Sequence, residues 1–372
     1  MTDGELGAAG TGRSRGCRVV VMPDSFGGTL DAAAAAAAIG AGWQTGRPHD
    51  TVVLAPQSDG GPGFVEVLAA SLGGEHRNLT VEGPLGDPVG ASWLRRDATA
   101  YVEAAQACGL PLLPEPPDPH SAWSASTAGV GELISAAVAA GCRRIVVGLG
   151  GSATTDGGRG AAARLGGLAA ARRLLRDVDL VAATDVDNPL LGPGGAAAVF
   201  GPQKGADAAT VARLEERLAG WADHLEATAG HDLRDEPGAG AAGGLGAFLL
   251  ACGGRRTSGA QLVAAETHRR DQIAAADLVI TGEGRLDAQT LCGKLVAVVA
   301  EEAAAAAVPV LVLVGQTLLT AADSAAVGEV HSLVHHAGSL AAAMTDAGPQ
   351  LTGLAARLAA RWAGPGGVAL GE

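Results

Sequence analysis

The chain has 372 residues, a formal net charge of −13 and only 3% aromatic residues. That acidity argues against nucleic acid or an anionic membrane surface as a partner, and no apolar run reaches the roughly 20 residues of a membrane span. The length predicts two compact domains, with cores assembled from Ala, Val and Leu on parallel sheets. The five cysteines, Cys17, Cys108, Cys142, Cys252 and Cys292, show no CxxC spacing. Reduced thiols and a cytoplasmic location are therefore expected.

Residues 1–16 are small and polar without a signal-like apolar core, and read as a frayed tail. Arg18 to Met22 is a β-branched run that predicts a strand, PDS turns it, and Thr29 is positioned to cap a helix through about Ala41. A second strand over Thr51–Ala55 leads through SDGGPG into a helix from Phe64 to Leu72. This alternation predicts a doubly wound parallel α/β sheet. From about 80 to 260, turn signals, a Pro-rich stretch at 111–120 and further glycine-rich loops predict an inserted second α/β domain. The first grammar returns at Leu278–Thr281, Val308–Val314 and Ser332–His335, each expected as a strand. The expected division is 17–80 plus 262–364 for the first domain and 81–261 for the second, with a tail over 365–372.

Glycine-rich polar loops follow several strand ends: PDSFGGT (23–29), QSDGGPG (57–63), GLGGSATTDGG (148–158), ATDVDNP (183–189), FGPQKGA (200–206), PGAGAAGGLG (237–246) and TGEGRLDAQTLCGK (281–294). In open α/β folds ligands sit at the carboxyl ends of strands, and glycine lets backbone N–H groups approach oxyanions. The only lysines, Lys204 and Lys294, both fall in these loops, as does Asn188. A mobile ammonium suits a phosphate. Asp185 and Asp187, spaced i, i+2, point to one side if their segment is extended. Asp24, Asp59, Asp156 and Asp287 sit on other loops; each taken singly is as well explained as a turn or cap aspartate. GLGGSA at 148–153 and GAGAAG at 238–243 mimic dinucleotide-binding glycine patterns, but neither sits in a strand–turn–helix unit. His335 and His336 have no companion cluster and read as structural.

Taken in order, GGSATTDGG, DVDNPLLGPGGAAAVFGPQKGA, GAGAAGGLGA and TGEGRLDAQTLCGK resemble the bacterial glycerate kinase family, from about Val19 to the last strand. The resemblance implies a flavodoxin-like doubly wound domain with a second, inserted α/β domain, an active site between them, and ATP-dependent, Mg²⁺-assisted phosphorylation of glycerate or a close hydroxy acid. It departs from the family pattern in the N-terminal loops. Gly27 stands where the family has Lys and Thr29 where it has Ser. Ser58, Pro62 and Phe64 replace Ala, Glu and Thr of the second motif, and the segment after GGSATTDGG is short. A relative that binds a nucleotide or metabolite without catalysis, or a shifted substrate, is the alternative these departures leave open.

Carried onto this sequence, the resemblance implies Asp24, Asp59, Asp187, Lys204 and Arg285 as catalytic residues, with Asp59 or Asp187 orienting the substrate hydroxyl or acting as base. Asp185, Asp187 and Asp287 would hold Mg²⁺. Gly150, Gly151, Ser152, Thr154, Gly243, Gly244, Gly282, Glu283, Gly284 and Lys294 would contact the nucleotide. Ser25, Asp156 and Asn188 would contact the hydroxy acid. Which loop grips the base, which hydroxyl reacts and the oligomeric state are open at this level.

Overall fold

A computed structural model describes residues 16–287 and 295–364. Lys294, residues 1–15 of the expected N-terminal tail and the expected tail 365–372 lie outside the described residues. Among the described residues eleven strands run in chain order. They are β1 (Arg18–Val21), β2 (Thr51–Leu54), β3 (Glu75–Glu82), β4 (Pro88–Arg96), β5 (Thr99–Glu103) and β6 (Arg144–Gly148), then β7 (Asp179–Ala183), β8 (Arg255–Thr257), β9 (Leu278–Leu286), β10 (Val310–Thr317) and β11 (Glu329–Ser332).

The first sheet has the order β2-β1-β9-β10-β11, all parallel. Counted along this sheet alone, that is the 2-1-3-4-5 order of the flavodoxin-like doubly wound fold, with its topological switch point between β1 and β9. Alternation of side chains makes it two-faced. Val19, Val21, Leu278 and Ile280 pack under helices 32–46 and 347–361, through Ile39, Trp43, Leu354 and Leu358. Val20, Met22 and Val279 face Ile273, Val299 and Ala303 on the other side. Asp31, not Thr29, caps helix 32–46 by accepting from the Ala34 N–H. The Thr29 hydroxyl instead donates to the Phe26 carbonyl (2.6 Å) and closes the turn of the opening loop.

The second sheet runs β3-β4-β5-β6-β7-β8, antiparallel through β5 and parallel thereafter. Ala100, Val102, Ile145 and Val147 enter a large core with helices 128–139, 208–229 and 241–251. Tyr101, Val146 and Val181 point the other way, onto Phe64, Val65 and Leu68 of helix 64–72 and onto Leu262 and Val263. The chain thus crosses from the first sheet to the second through 57–63.

Two expected strand ends are different. GEGR (282–285), expected in a loop, and GQT (315–317), just past the expected strand Val308–Val314, continue β9 and β10, whose pairing runs on through Gln316↔Arg285 and Thr317↔Leu286. The ladder hydrogen bonds outweigh glycine's weak strand preference there. Of the strand expected over Ser332–His335, residues 333–335 instead belong to a short helix, Leu333–Ala337, capped by Ser332, and the last strand precedes it.

Candidate active site

Both sheets aim the carboxyl ends of their parallel strands at one trough, and the loop 57–63 lies between them. The Gly150 N–H donates to the Gly60 carbonyl (3.1 Å). A Cβ on Gly150 would stand 2.4 Å from the Gly61 Cα, and one on Gly259 would stand 1.9 Å from the Asp59 carbonyl oxygen. Any side chain at these positions forces the backbones apart. Three glycine-bearing segments, after β2, β6 and β8, therefore form a bare-backbone seam that fixes Asp59 over the second sheet. Glu103, at the end of β5, completes it from below. Its buried carboxylate accepts from the Gly63 and Val65 N–H groups (3.1 and 3.3 Å), capping helix 64–72 where the chain itself offers no cap. Burial pushes the Glu103 carboxyl up despite those donors.

The trough has two chambers. The larger, about 880 Å³, is bounded by Ser58, Asp185, Ser258, His268, Arg269 and Glu302. Its wall is a buried ion pair: Arg269 donates to both Glu302 oxygens (2.8 and 3.0 Å) and to the Gln57 side-chain carbonyl (3.4 Å). Burial raises the Glu302 carboxyl, but its bonds to Arg269 and Arg270 more than offset this and hold it below its ordinary value. The smaller chamber, about 480 Å³, lies at the β1/β9 switch point, where Ser25, Gly27, Glu283, Gly284 and Arg285 meet Gln316 and an apolar wall. Among the described residues, Asp24 and Asp59 alone border both chambers. Burial pushes the Asp24 carboxyl up to about 6, and the negative charges of Asp59 and Glu283 add to this against its bond from the Ser25 N–H. A carboxyl poised near neutrality in a cleft is suited to proton transfer.

Of the expected site residues, Asp24, Ser25, Asp59, Asp185, Glu283, Gly284 and Arg285 border the trough. Apart from Asp185, the central loops do not bring theirs to it. Lys204 is buried, donating from Nζ to the Ser152 hydroxyl (3.1 Å) and the Thr154 carbonyl (2.6 Å), with burial lowering its ammonium to about 8. Asp156 accepts from the N–H groups of Thr127, Gly158 and Gly160 and from the Thr127 hydroxyl, all within its own domain. Gly151 lies against Pro62, and Gly243 and Gly244 lie against the backbone of 154–157. Gly282 sits within β9, a Cβ there meeting the Leu313 carbonyl at 1.9 Å. Asn188 donates to the Gly194 carbonyl (2.8 Å).

The three residues expected to share Mg²⁺ are not gathered. Asp187 pairs with Arg256 (2.6 Å) and Asp287 with Arg285 (3.2 Å), while Asp185 accepts from the Ser258 hydroxyl and the Ala260 N–H. Segment 184–189 is not part of a strand and bends at Asp185, and its two carboxylates take different partners. Among the described residues no group of three or more His, Cys, Asp or Glu is arranged to hold a metal. Glu103, Gln57, Arg269 and Glu302 were not expected at all. They meet across separations of 33 to 212 residues, for which a single sequence carries no signal.

A flavodoxin-order sheet whose switch point faces a second α/β domain across an acidic trough defines a two-domain α/β enzyme. The model of the glycerate kinase family matches residues 19–173 and 167–363. A glycerate kinase of Halalkalibacterium halodurans is 41% identical over 324 residues, covering 80% of this chain and 85% of its own. The glycerate 2-kinase of Escherichia coli is 39% identical over 306 residues, covering 75% and 80%. An uncharacterized protein of Mycobacterium bovis is 55% identical over 98% of both chains. The crystal structure described as glycerate kinase 2 from Salmonella typhimurium LT2 superposes with a TM-score of 0.74 at 33% identity, covering 93% of this chain and 98% of that one. The chain belongs to the glycerate kinase family and is a kinase. Among the described residues no helix is long and apolar enough to cross a membrane.

Proposed function

We propose that the protein transfers the γ-phosphoryl group of ATP to a hydroxyl of glycerate, with Mg²⁺ bound, at the junction of the two chambers. The observation that carries this is that Asp24 and Asp59 border both chambers, so a donor in one and an acceptor in the other meet there. Asp24 orients the glycerate hydroxyl and takes its proton. The hydroxyl oxygen attacks the γ-phosphorus, the bond from that phosphorus to the bridging oxygen breaks, and ADP leaves with the electron pair.

The acids fit a divalent cation in the way Mg²⁺ is ordinarily held, by one or two carboxylates plus phosphate oxygens and not by an all-protein cage. Asp59 and Glu283 both bear on Asp24 with negative charge, a repulsion that a cation relieves. These two would hold it, and when bound it would supply charge neutralisation between the phosphates. Arg285 and the backbone around Gly27 and Gly284 border the donor's path. Lys204 acts as a positioning residue, holding segment 152–154 behind the seam.

A coupled assay of ADP release with purified protein, Mg-ATP and D-glycerate is the direct test. Turnover that requires both substrates is expected; none at millimolar glycerate would overturn the reading.

A further inference from the structure

The smaller chamber has an apolar wall that phosphate chemistry does not explain. Leu340 and Met344, one helical turn apart on helix 340–345, are about half exposed, at 49% and 54%. With Phe26, Val334 and Ala343 they line one side of the chamber, and Gln316 and Arg285 line another. Large aliphatic side chains left open in a concave site, beside a few polar groups, are the usual surroundings of a flat heteroaromatic ring.

The chamber's position is equally specific. Its floor is the β1/β9 switch point, where the opening loop meets β9 so closely that a Cβ on Gly284 would stand 2.8 Å from the Gly27 nitrogen. Gly27 itself has φ +50° and open space for 4 Å around its Cβ direction. A chain of phosphates leaving the apolar wall would pass over this bare backbone and reach Asp24 and Asp59, which open onto the larger chamber. That larger chamber carries Ser258, Gln261 and His268 with Arg269 and Arg270, both paired with Glu302, beside Asp185, Asp271 and the aliphatic side chains of Leu295 and Val298. Its hydrogen-bonding groups offer a setting for a small carboxylate with hydroxyls. The reverse placement would put a hydroxy acid against Leu340 and Met344.

We infer that the smaller chamber is the base-binding subsite for the purine of the donor nucleotide, with the ring against Phe26, Val334, Leu340 and Met344. The hydroxy acid then enters from the larger chamber. This rests on the phosphotransfer reading above, from which the following experiment separates it.

The double variant Leu340→Asp/Met344→Asp is compared with the wild type in steady-state kinetics, with KM for ATP and for glycerate measured separately. Because both side chains are already half exposed, the melting temperature is expected to stay within a few degrees. KM for ATP is expected to rise about tenfold or more, with KM for glycerate and kcat nearly unchanged, the pattern of lost ground-state binding. In the larger chamber, Gln261→Glu is expected to leave KM for ATP within about twofold. An unchanged KM for ATP in the double variant, or a rise in KM for glycerate instead, overturns the assignment. Should the wild type show no turnover, the phosphotransfer reading fails, and calorimetric titration with Mg-ADP still decides the subsite. Binding by the wild type that the double variant weakens by about tenfold upholds it; equal binding by both, or none by the wild type, overturns it.

Discussion

Two sets of glycine-rich loops, similar in composition, do different work. The central loops at 148–158, 183–189, 200–206 and 237–246 engage most of their polar side chains with protein groups: Asp156 ties three N–H groups and a hydroxyl, Lys204 ties Ser152 and Thr154, and the exposed Asp187 pairs with Arg256. Asp185 alone of their expected residues reaches the trough. The first sheet's loops at 23–29 and 57–63, together with the end of strand β9, turn Asp24, Asp59, Glu283 and Arg285 toward the trough. The difference teaches that a scarce polar residue in a glycine loop is not by itself a ligand contact. A buried polar group must find partners, and a loop packed inside its own domain supplies them. The loops that depart from the family pattern at Gly27 and Pro62 are the ones that border the trough.

The strongest way to break this comparison is at the seam. Gly259→Ala places a methyl where the Asp59 carbonyl stands and must displace 57–63. We expect kcat/KM to fall on the order of a hundredfold, as misplacement of a reacting group commonly costs. Circular dichroism should show the fold retained; full activity would show that the seam does not set the position of Asp59. Next in size, Glu103→Ala removes the remote cap of helix 64–72 and leaves two N–H groups without their acceptor. A loss of about 1–2 kcal/mol in urea unfolding is expected, and an unchanged midpoint would contradict the cap. The smallest effect sharpens the comparison. Asp187→Asn breaks only a partly exposed pair with Arg256, so kcat is expected to change by less than about threefold. A loss of several hundredfold in that variant would return the central loop to the chemistry.

Much of the first domain was legible in the sequence, because β-branched runs, the Phe64–Leu72 helix and the carboxyl-end rule are local or topological signals. The placement of Asp24 and Asp59 at strand ends followed from that rule. What could not be read was partnership. Whether Lys204 meets phosphate or the Thr154 carbonyl depends on how helix 208–229 and the 148–158 loop stack, a contact spanning 50 residues. Likewise, GGSATTDGG looks like a phosphate cradle because glycines permit close approach; here part of that approach is to another stretch of protein, Gly60 and Gly61. The capping of helix 64–72 by Glu103 leaves no local mark, since that helix begins after a glycine.

The central claim is that Asp24 is the base at the junction, and it is tested most directly by kcat/KM against pH for the wild type and Asp24→Asn. Because burial raises the Asp24 carboxyl from its ordinary 3.8 to about 6, wild-type kcat/KM should climb as pH rises through about 6 and level off above it. Asp24→Asn should lose this acid limb and run about a thousandfold slower. The same shift fixes the sign for stability. The folded state holds the Asp24 proton more tightly than the unfolded chain, so the wild type loses stability as pH rises from about 4 through about 6. Asp24→Asn should therefore be the more stable protein at pH 8, with the advantage gone below about pH 4. A wild-type-like rate in Asp24→Asn, or the same acid limb kept in the variant, would contradict the account.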